Sequence, residues 1–293
     1  MASATHEKCL ESLKIIRAQT QMQPKIGIVC GSGLGKIGDI ITDSVSFNYH
    51  DLPGFHVSKV AGHKSKLILG KLNNSDINNN NSNVEVVCMQ GRFHGYEGIG
   101  YDACAFPIRV MKLLGIKYLI VTNAAGAVNT NYKEGDFMIL KDHLPMALYA
   151  GNGPLIGNND ENFGPRFYPT NDMFDKDLIK LVYQCAEDLP DFDMKTMHSG
   201  IYTMMPGPNY ESIAEIKMIR GLGGDVVGMS TSPECLVAHH TGIKIIGISM
   251  VTNVCIDDYE NRQVPNHEEV VETANQRSSD MVRLVERIVQ KLE

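Results

Sequence analysis

The sequence predicts an α/β protein, with a central, largely parallel (mixed) twisted β-sheet flanked by helices in one domain spanning 1–293. Three observations carry that expectation. Short β-branched runs alternate with helical patterns along almost the whole chain, as in sheets whose strands are buried under crossover helices. The ends of those runs are rich in glycine, hydroxyl and amide side chains, which is the composition expected where an open sheet meets a ligand. Finally, 43% hydrophobic and 21% charged residues, with no run of 18 apolar residues, describe an ordinary globular chain without a membrane span.

Taken in order, the opening "MASATHEKCLESLK" has charges where a leader needs an apolar core, and it reads as an amphipathic helix. Strands are predicted over 25–30, 66–72, 84–90, 117–123, 137–141, 199–204, 225–229 and 244–252, because each is a compact β-branched or apolar run. Helices are predicted over 101–114, 175–189, 211–221, 233–241 and from 267 to the end. The helix at 233 has Ser232 as its N-cap, Pro233 in the first turn, Glu234 behind it and Gly242 to stop it. The last helix has Asn266 as cap and Glu269 three residues on, with Val270, Ala274, Met281, Val285, Ile288 and Leu292 along one stripe. The segment "NNSDINNNNSN" (73–83) is polar and of low complexity, so it is expected to be a disordered hairpin tip joining two strands. With no other linker and no repeat, the chain is expected to form one domain.

A net charge of −7 excludes a general nucleic-acid surface, so any phosphate site must be a local basic pocket. Cys9, Cys30, Cys88, Cys104, Cys185, Cys235 and Cys255 are scattered and contain no C-x-x-C. They read as buried thiols of a reducing cytoplasm rather than a disulfide frame. The histidines supply no H-E-x-x-H, and no metal site is expected.

The glycine-rich stretch "GIVCGSGLGKIGD" (27–39) fits neither common nucleotide loop. A Walker loop ending at Gly35-Lys36 would need glycine where Cys30 stands, and a hydroxyl where Ile37 stands. A dinucleotide fingerprint begins with Gly31 and Gly33 but meets Lys36 at its third glycine. An anion site and a plain tight turn both remain open for this loop. The neighbouring strand ends add Gly91-Arg92-Phe93-His94, Asn123-Ala124-Ala125-Gly126, Ser230-Thr231-Ser232 and Thr252-Asn253. Arg92 suits a fork to anion oxygens, and His94 shares its side if the chain there is extended. Their ordinary alternatives are a surface salt bridge and a structural histidine.

Taken together, "GSGLG" (31–35), "GH" (62–63), "MQGRFHGYEG" (89–98), "FPIRVMKLLG" (106–115), "VTNAAG" (121–126), "GDFMILKDH" (135–143), "NFGPRF" (162–167), "GPNYES" (207–212), "VVGMSTSPE" (226–234), "VTN" (251–253) and "NHEEV" (266–270) resemble the trimeric purine nucleoside phosphorylases. The resemblance covers roughly 10–290. It implies a phosphorylase/hydrolase-like fold and phosphate-driven cleavage of a purine nucleoside to free base and pentose 1-phosphate. Inorganic phosphate is then a co-substrate and no cofactor is needed.

The resemblance also assigns roles. Ser32, His63, Arg92, His94, the Ala124 amide and Ser230 are expected around phosphate. Tyr96, Tyr210, Met229 and His267 are expected around the sugar, and Phe163 is expected to complete a neighbouring copy's site in a homotrimer. Ala124, Ala125, Gly126, Glu211, Thr252 and Asn253 are expected around the base, with His94, Glu211, Asn253 and His267 as the catalytic set. An Asn253 amide can donate to N7 or O6 of a 6-oxopurine while Glu211 accepts from N1–H. Ordinary roles compete: a helix-dipole contact for Glu211, a solvent cap for His267, a core ring for Phe163.

Two positions depart from the family pattern. Ala127 replaces the second glycine after the Thr-Asn strand, and Pro206 precedes Gly207; both are expected beside the base. Methylthioadenosine phosphorylases, which carry aspartates for a 6-amino group, are the nearest alternative, since Asp257 and Asp258 follow Asn253. A weakly active nucleoside-binding protein is the other. Partners are expected to be nucleoside and phosphate, without nucleic acid or membrane.

Overall fold

A computed structural model describes residues 4–60, 62–73, 83–261 and 266–292. Among these residues nine strands form one mixed sheet: β1 (Ile26–Val29), β2 (Thr42–Asn48), β3 (Lys66–Asn73), β4 (Asn83–Gln90), β5 (Tyr118–Ala127), β6 (Phe137–Leu144), β7 (Met197–Met204), β8 (Val226–Gly228) and β9 (Lys244–Val254). Their order is β2-β3-β4-β1-β5-β8-β7-β6-β9, and β9 pairs back onto β5. Five strands therefore close on themselves, and the remaining four extend from β5 as an open wing. The central pairs β4/β1/β5/β9 are parallel, whereas β2/β3/β4 form an antiparallel meander.

Helices α1 (Ala4–Gln19), α2 (Lys36–Asp39), α3 (Tyr101–Leu114), α4 (Lys176–Glu187), α5 (Ile213–Gly221), α6 (Ser232–His240) and α7 (His267–Lys291) cover the sheet. The core lies on both of its faces, as β-branched strands buried on two sides require. Val29, Val87 and Val121 face α3 and α6, while Ile28, Cys88 and Ile120 face the apolar stripe of α7. Among the described residues no helix is long and apolar enough to cross a membrane, and all seven cysteines are free thiols.

Every predicted strand is present, and several run further than expected. β2 was not anticipated; its "TDSVSFN" is mostly exposed at the sheet edge and gives no apolar signal. The polar 73–83 segment does join two strands, with Asn73 opposite Asn83, while 74–82 lie outside the described residues. The cap of α7 is as read, with the Glu269 N–H donating to Asn266 Oδ1 at 2.8 Å. The cap of α6 is corrected by one residue: Thr231 is the N-cap and Ser232 opens the helix. Glu211 is likewise not on a helix, because Ser212 caps α5 and closes a reciprocal box with Glu215.

Candidate active site

The strand ends converge on a cavity of about 340 Å³. It is lined by Ser32 from the glycine loop, Arg92, His94 and Tyr96 from the segment after β4, Ala124, Ala125 and Gly126 from β5, Tyr210 and Glu211 before α5, Met229 and Ser230 after β8, and Thr252 and Asn253 from β9. Twelve of the residues expected around substrate therefore meet Ser32 at one cavity.

One end of it gathers hydroxyl and cationic donors. Gly31 lets the loop lie against β5: a Cβ there would stand 2.7 Å from Asn123 Cα and Thr122 O, both backbone atoms that cannot yield. Ser32 follows, 3.2 Å from His63 Nε2. The other ring nitrogen of His63 accepts the Arg92 backbone N–H at 2.7 Å, so the neutral ring carries its proton on Nε2 and donates to Ser32 Oγ. The Ser32 hydroxyl proton is then left for a ligand. Burial, with His94 and Arg92 nearby, lowers the His63 pKa to about 3. His63 stands behind Ser32 rather than on the cavity wall.

Arg92 is only 1% exposed. Its Nε donates to Glu234 Oε1 at 2.9 Å, and Nη1 lies 2.9 Å from Thr122 O, 3.1 Å from Ser230 Oγ and 3.3 Å from Thr231 Oγ1. Nη2 is buried without a protein partner. Arg92 and His94 flank the cavity while Phe93 between them packs into the core against Tyr49, which confirms the extended backbone. His94 stacks on Tyr96 at 4.7 Å, and burial lowers its pKa.

Glu97, which the sequence reading missed, shapes this corner by accepting the His94 N–H at 2.9 Å and the Lys59 N–H at 3.2 Å. Burial alone would raise its pKa, but hydrogen bonds from His94, Ser58 and Lys59 outweigh it and hold the carboxyl at about 2. Its spacing from His94 inside "HGYEG" was the available signal.

Ser230 sits in a strained turn. Thr231 has φ 74° and ψ −50°, and the Ser232 N–H reaches back to Ser230 O at 2.8 Å, which makes a γ-turn centred on a β-branched residue. Thr231 Oγ1 is fastened by Asn123 Nδ2 at 3.0 Å, and the Ser230 N–H by Tyr202 Oη at 3.2 Å. The turn aims Ser230 at the cavity and is the reason the helix begins one residue later than its sequence suggests.

The other end is polar and short of charge. The β5/β9 register shifts between Ala125 and Gly126, bringing Gly126 opposite Asn253. A Cβ on Gly126 would fall 2.7 Å from Cys255 Sγ and 3.3 Å from Asn253 Nδ2, so glycine keeps this end open. Thr252 Oγ1 donates to Asn253 Oδ1 at 3.3 Å, which leaves the Asn253 amide N–H groups for a ligand. Burial raises the Glu211 pKa, and its Oε1 is buried without a partner.

Within its own chain Phe163 is 5% exposed, 5.3 Å from the His6 ring and 5.9 Å from the Arg109 guanidinium. The ring which that segment presents to solvent is Phe167, at 88%. Two expectations are corrected. Ala127 is buried at the end of β5 without positive φ, and neither it nor Pro206 lines the cavity. Asp257 is tied to Arg220 at 2.6 Å, and neither it nor Asp258 lines the cavity. His267 opens α7, but its side chain lies outside the described residues.

Comparison with known proteins agrees with this geometry. The model of the phosphorylase superfamily matches residues 25–290. A purine nucleoside phosphorylase of Bos taurus is 38% identical over 96% of this chain and 93% of its own, and purine nucleoside phosphorylase 1 of Bacillus subtilis is 42% identical over 95% and 96%. Among solved structures, a Schistosoma mansoni purine nucleoside phosphorylase in complex with inosine superposes with a TM-score of 0.90, at 44% identity over 98% of this chain and 97% of its own. A Schistosoma purine nucleoside phosphorylase in complex with guanosine gives 0.88 at 42% identity over 100% and 99%. By fold, motifs and likeness along its whole length, this chain belongs to the phosphorylase superfamily, among its purine nucleoside phosphorylases.

Proposed function

We propose that the enzyme phosphorolyses inosine and guanosine, and that the two ends of the cavity divide the work. Phosphate is held by Ser32, Arg92, Ser230 and the Ala124 amide, with His94 alongside and His63 orienting Ser32. The sugar lies against Tyr96, Tyr210 and Met229, with His267 assigned to a ribose hydroxyl. A phosphate oxygen forms its bond to C1′ as the bond to the purine nitrogen breaks and that electron pair passes to the base. Asn253 then donates to N7 or O6 as charge accumulates, and Glu211 accepts from N1–H.

The observation that carries this is one cavity with a fixed guanidinium at one end and, at the other, a carboxylate with one unpartnered oxygen beside the Asn253 amide. A carboxylate that accepts from N1–H suits a 6-oxopurine, whereas a 6-amino base offers no proton at N1. We further propose a homotrimer in the cytoplasm, supported by the family resemblance. Phe163 is assigned to complete a neighbouring copy's site, and the assembly is to be measured by light scattering.

The experiment is a panel of inosine, guanosine, adenosine, methylthioadenosine and a pyrimidine nucleoside, each at two phosphate concentrations. Inosine and guanosine should turn over fastest, in proportion to phosphate below saturation. A preference for methylthioadenosine, or tight nucleoside binding without turnover, would overturn the assignment.

A further inference from the structure

The cavity residues explain what an anion would touch but not why Arg92 stands ready for it. An arginine has four rotatable side-chain bonds, and a lone guanidinium buried to 1% exposure would carry a large desolvation penalty. Glu234 answers both difficulties. It is itself 1% exposed, it is the only carboxylate hydrogen-bonded to the guanidinium among the described residues, and its Oε1 lies 2.9 Å from Arg92 Nε.

The local chain fixes where that oxygen can be. The γ-turn at Thr231 starts α6, Pro233 sets the backbone of its first turn, and Glu234 follows at once. The same five residues, 230–234, supply three of the side-chain contacts to the guanidinium: Ser230 Oγ, Thr231 Oγ1 and Glu234 Oε1. With Nε and Nη1 so engaged, the remaining donor group is Nη2, which has no protein partner. Glu234 Oε2 is also unpartnered, so the carboxylate holds the guanidinium through one oxygen.

We propose that Glu234 is a positioning residue for phosphate binding: it holds Arg92 by the Nε edge, so that Nη2 is presented to the anion beside Ser230. The inference rests on the phosphate assignment of this end of the cavity. It makes a distinctive claim, because Glu234 carries the same sign of charge as the ligand. Its benefit must come from where its oxygen stands, and its charge works against the anion.

Two substitutions separate position from charge. Glu234→Asp keeps the charge but withdraws the carboxylate by one C–C bond, ~1.5 Å, from Nε. Glu234→Gln keeps an acceptor oxygen in place and removes the charge; its amide replaces the Oε2 that has no partner. Phosphate affinity is measured by titration calorimetry with inorganic phosphate, alongside kcat and the KM of each substrate.

Glu234→Asp should weaken phosphate about 10-fold or more with the inosine KM within about 2-fold, while Glu234→Gln should bind phosphate within about 3-fold of the parent, or more tightly. Parent-like affinity in both variants, equal weakening in both, or the reverse order would each overturn the proposal. If Glu234→Asp does not fold, Glu234→Gln decides alone, and a loss of 10-fold or more overturns it. Failure of the unsubstituted enzyme to bind phosphate would instead refute the phosphate assignment itself.

Discussion

Asn253→Ala tests the base end of the cavity most sharply. Asn253 sits on β9 opposite Gly126, its Oδ1 engaged by the Thr252 hydroxyl, so its amide protons are left for a ligand, the purine in the proposed assignment. Removing a preorganised donor at a site of developing charge costs about 2.7–4 kcal/mol, or roughly 10²–10³ in turnover. The loss should fall on kcat for inosine. Phosphate should be spared, because Arg92, Ser32 and Ser230 make no hydrogen bond to Asn253, and the phosphate KM should stay within about 2-fold. Steady-state kinetics with each substrate varied in turn, following release of hypoxanthine, provides the readout. A kcat reduced by less than about 10-fold, or a phosphate KM that rises in step with the loss, would refute this division of the cavity.

Other outcomes follow from the same geometry. Arg92→Ala should raise the phosphate KM and, by leaving Glu234 buried without its counter-charge, lower stability by about 3–5 kcal/mol in urea unfolding; unchanged stability would mean the pair is not buried as described. Gly126→Ala should raise the nucleoside KM more than the phosphate KM, because its Cβ would meet Cys255 Sγ at 2.7 Å; equal effects on both substrates would contradict this. The His63 pKa lies at about 3 and that of His143, lowered by burial, at about 4, so the unfolded chain takes up protons before the folded one does. Stability from these groups is complete above pH 6.5, and each loses about 1.4 kcal/mol per pH unit below it until its folded pKa is reached. The Tm should therefore fall between pH 7 and 5, and a flat profile would count against neutral buried histidines.

How much of this was legible in the sequence depended on whether a residue's role is local. The strands showed themselves because Ile26, Ile28 and Val29, or Ile245, Ile246 and Ile248, are buried on a two-sided sheet and must be apolar. β2 was not legible, since an exposed edge strand has no need of such a pattern. Nor was the closure of five strands, which depends on β9 pairing with β5 and β6 at once. Arg92, Ser32 and Ser230 were readable as polar residues at strand ends. Glu97 and Glu234 were not, because a carboxylate after a helix start or inside a turn has many ordinary uses, and only the fold brings Glu234 to an arginine 142 positions away. The misplaced cap of α6 has a local cause: a threonine at positive φ is disfavoured, so the sequence points to Ser232 instead.

The most direct test follows inosine cleavage with and without inorganic phosphate and identifies the sugar product. Phosphorolysis at this cavity requires hypoxanthine and ribose 1-phosphate in equal amounts, with turnover vanishing as phosphate is withdrawn. Free ribose, formed at a rate indifferent to phosphate, would contradict it.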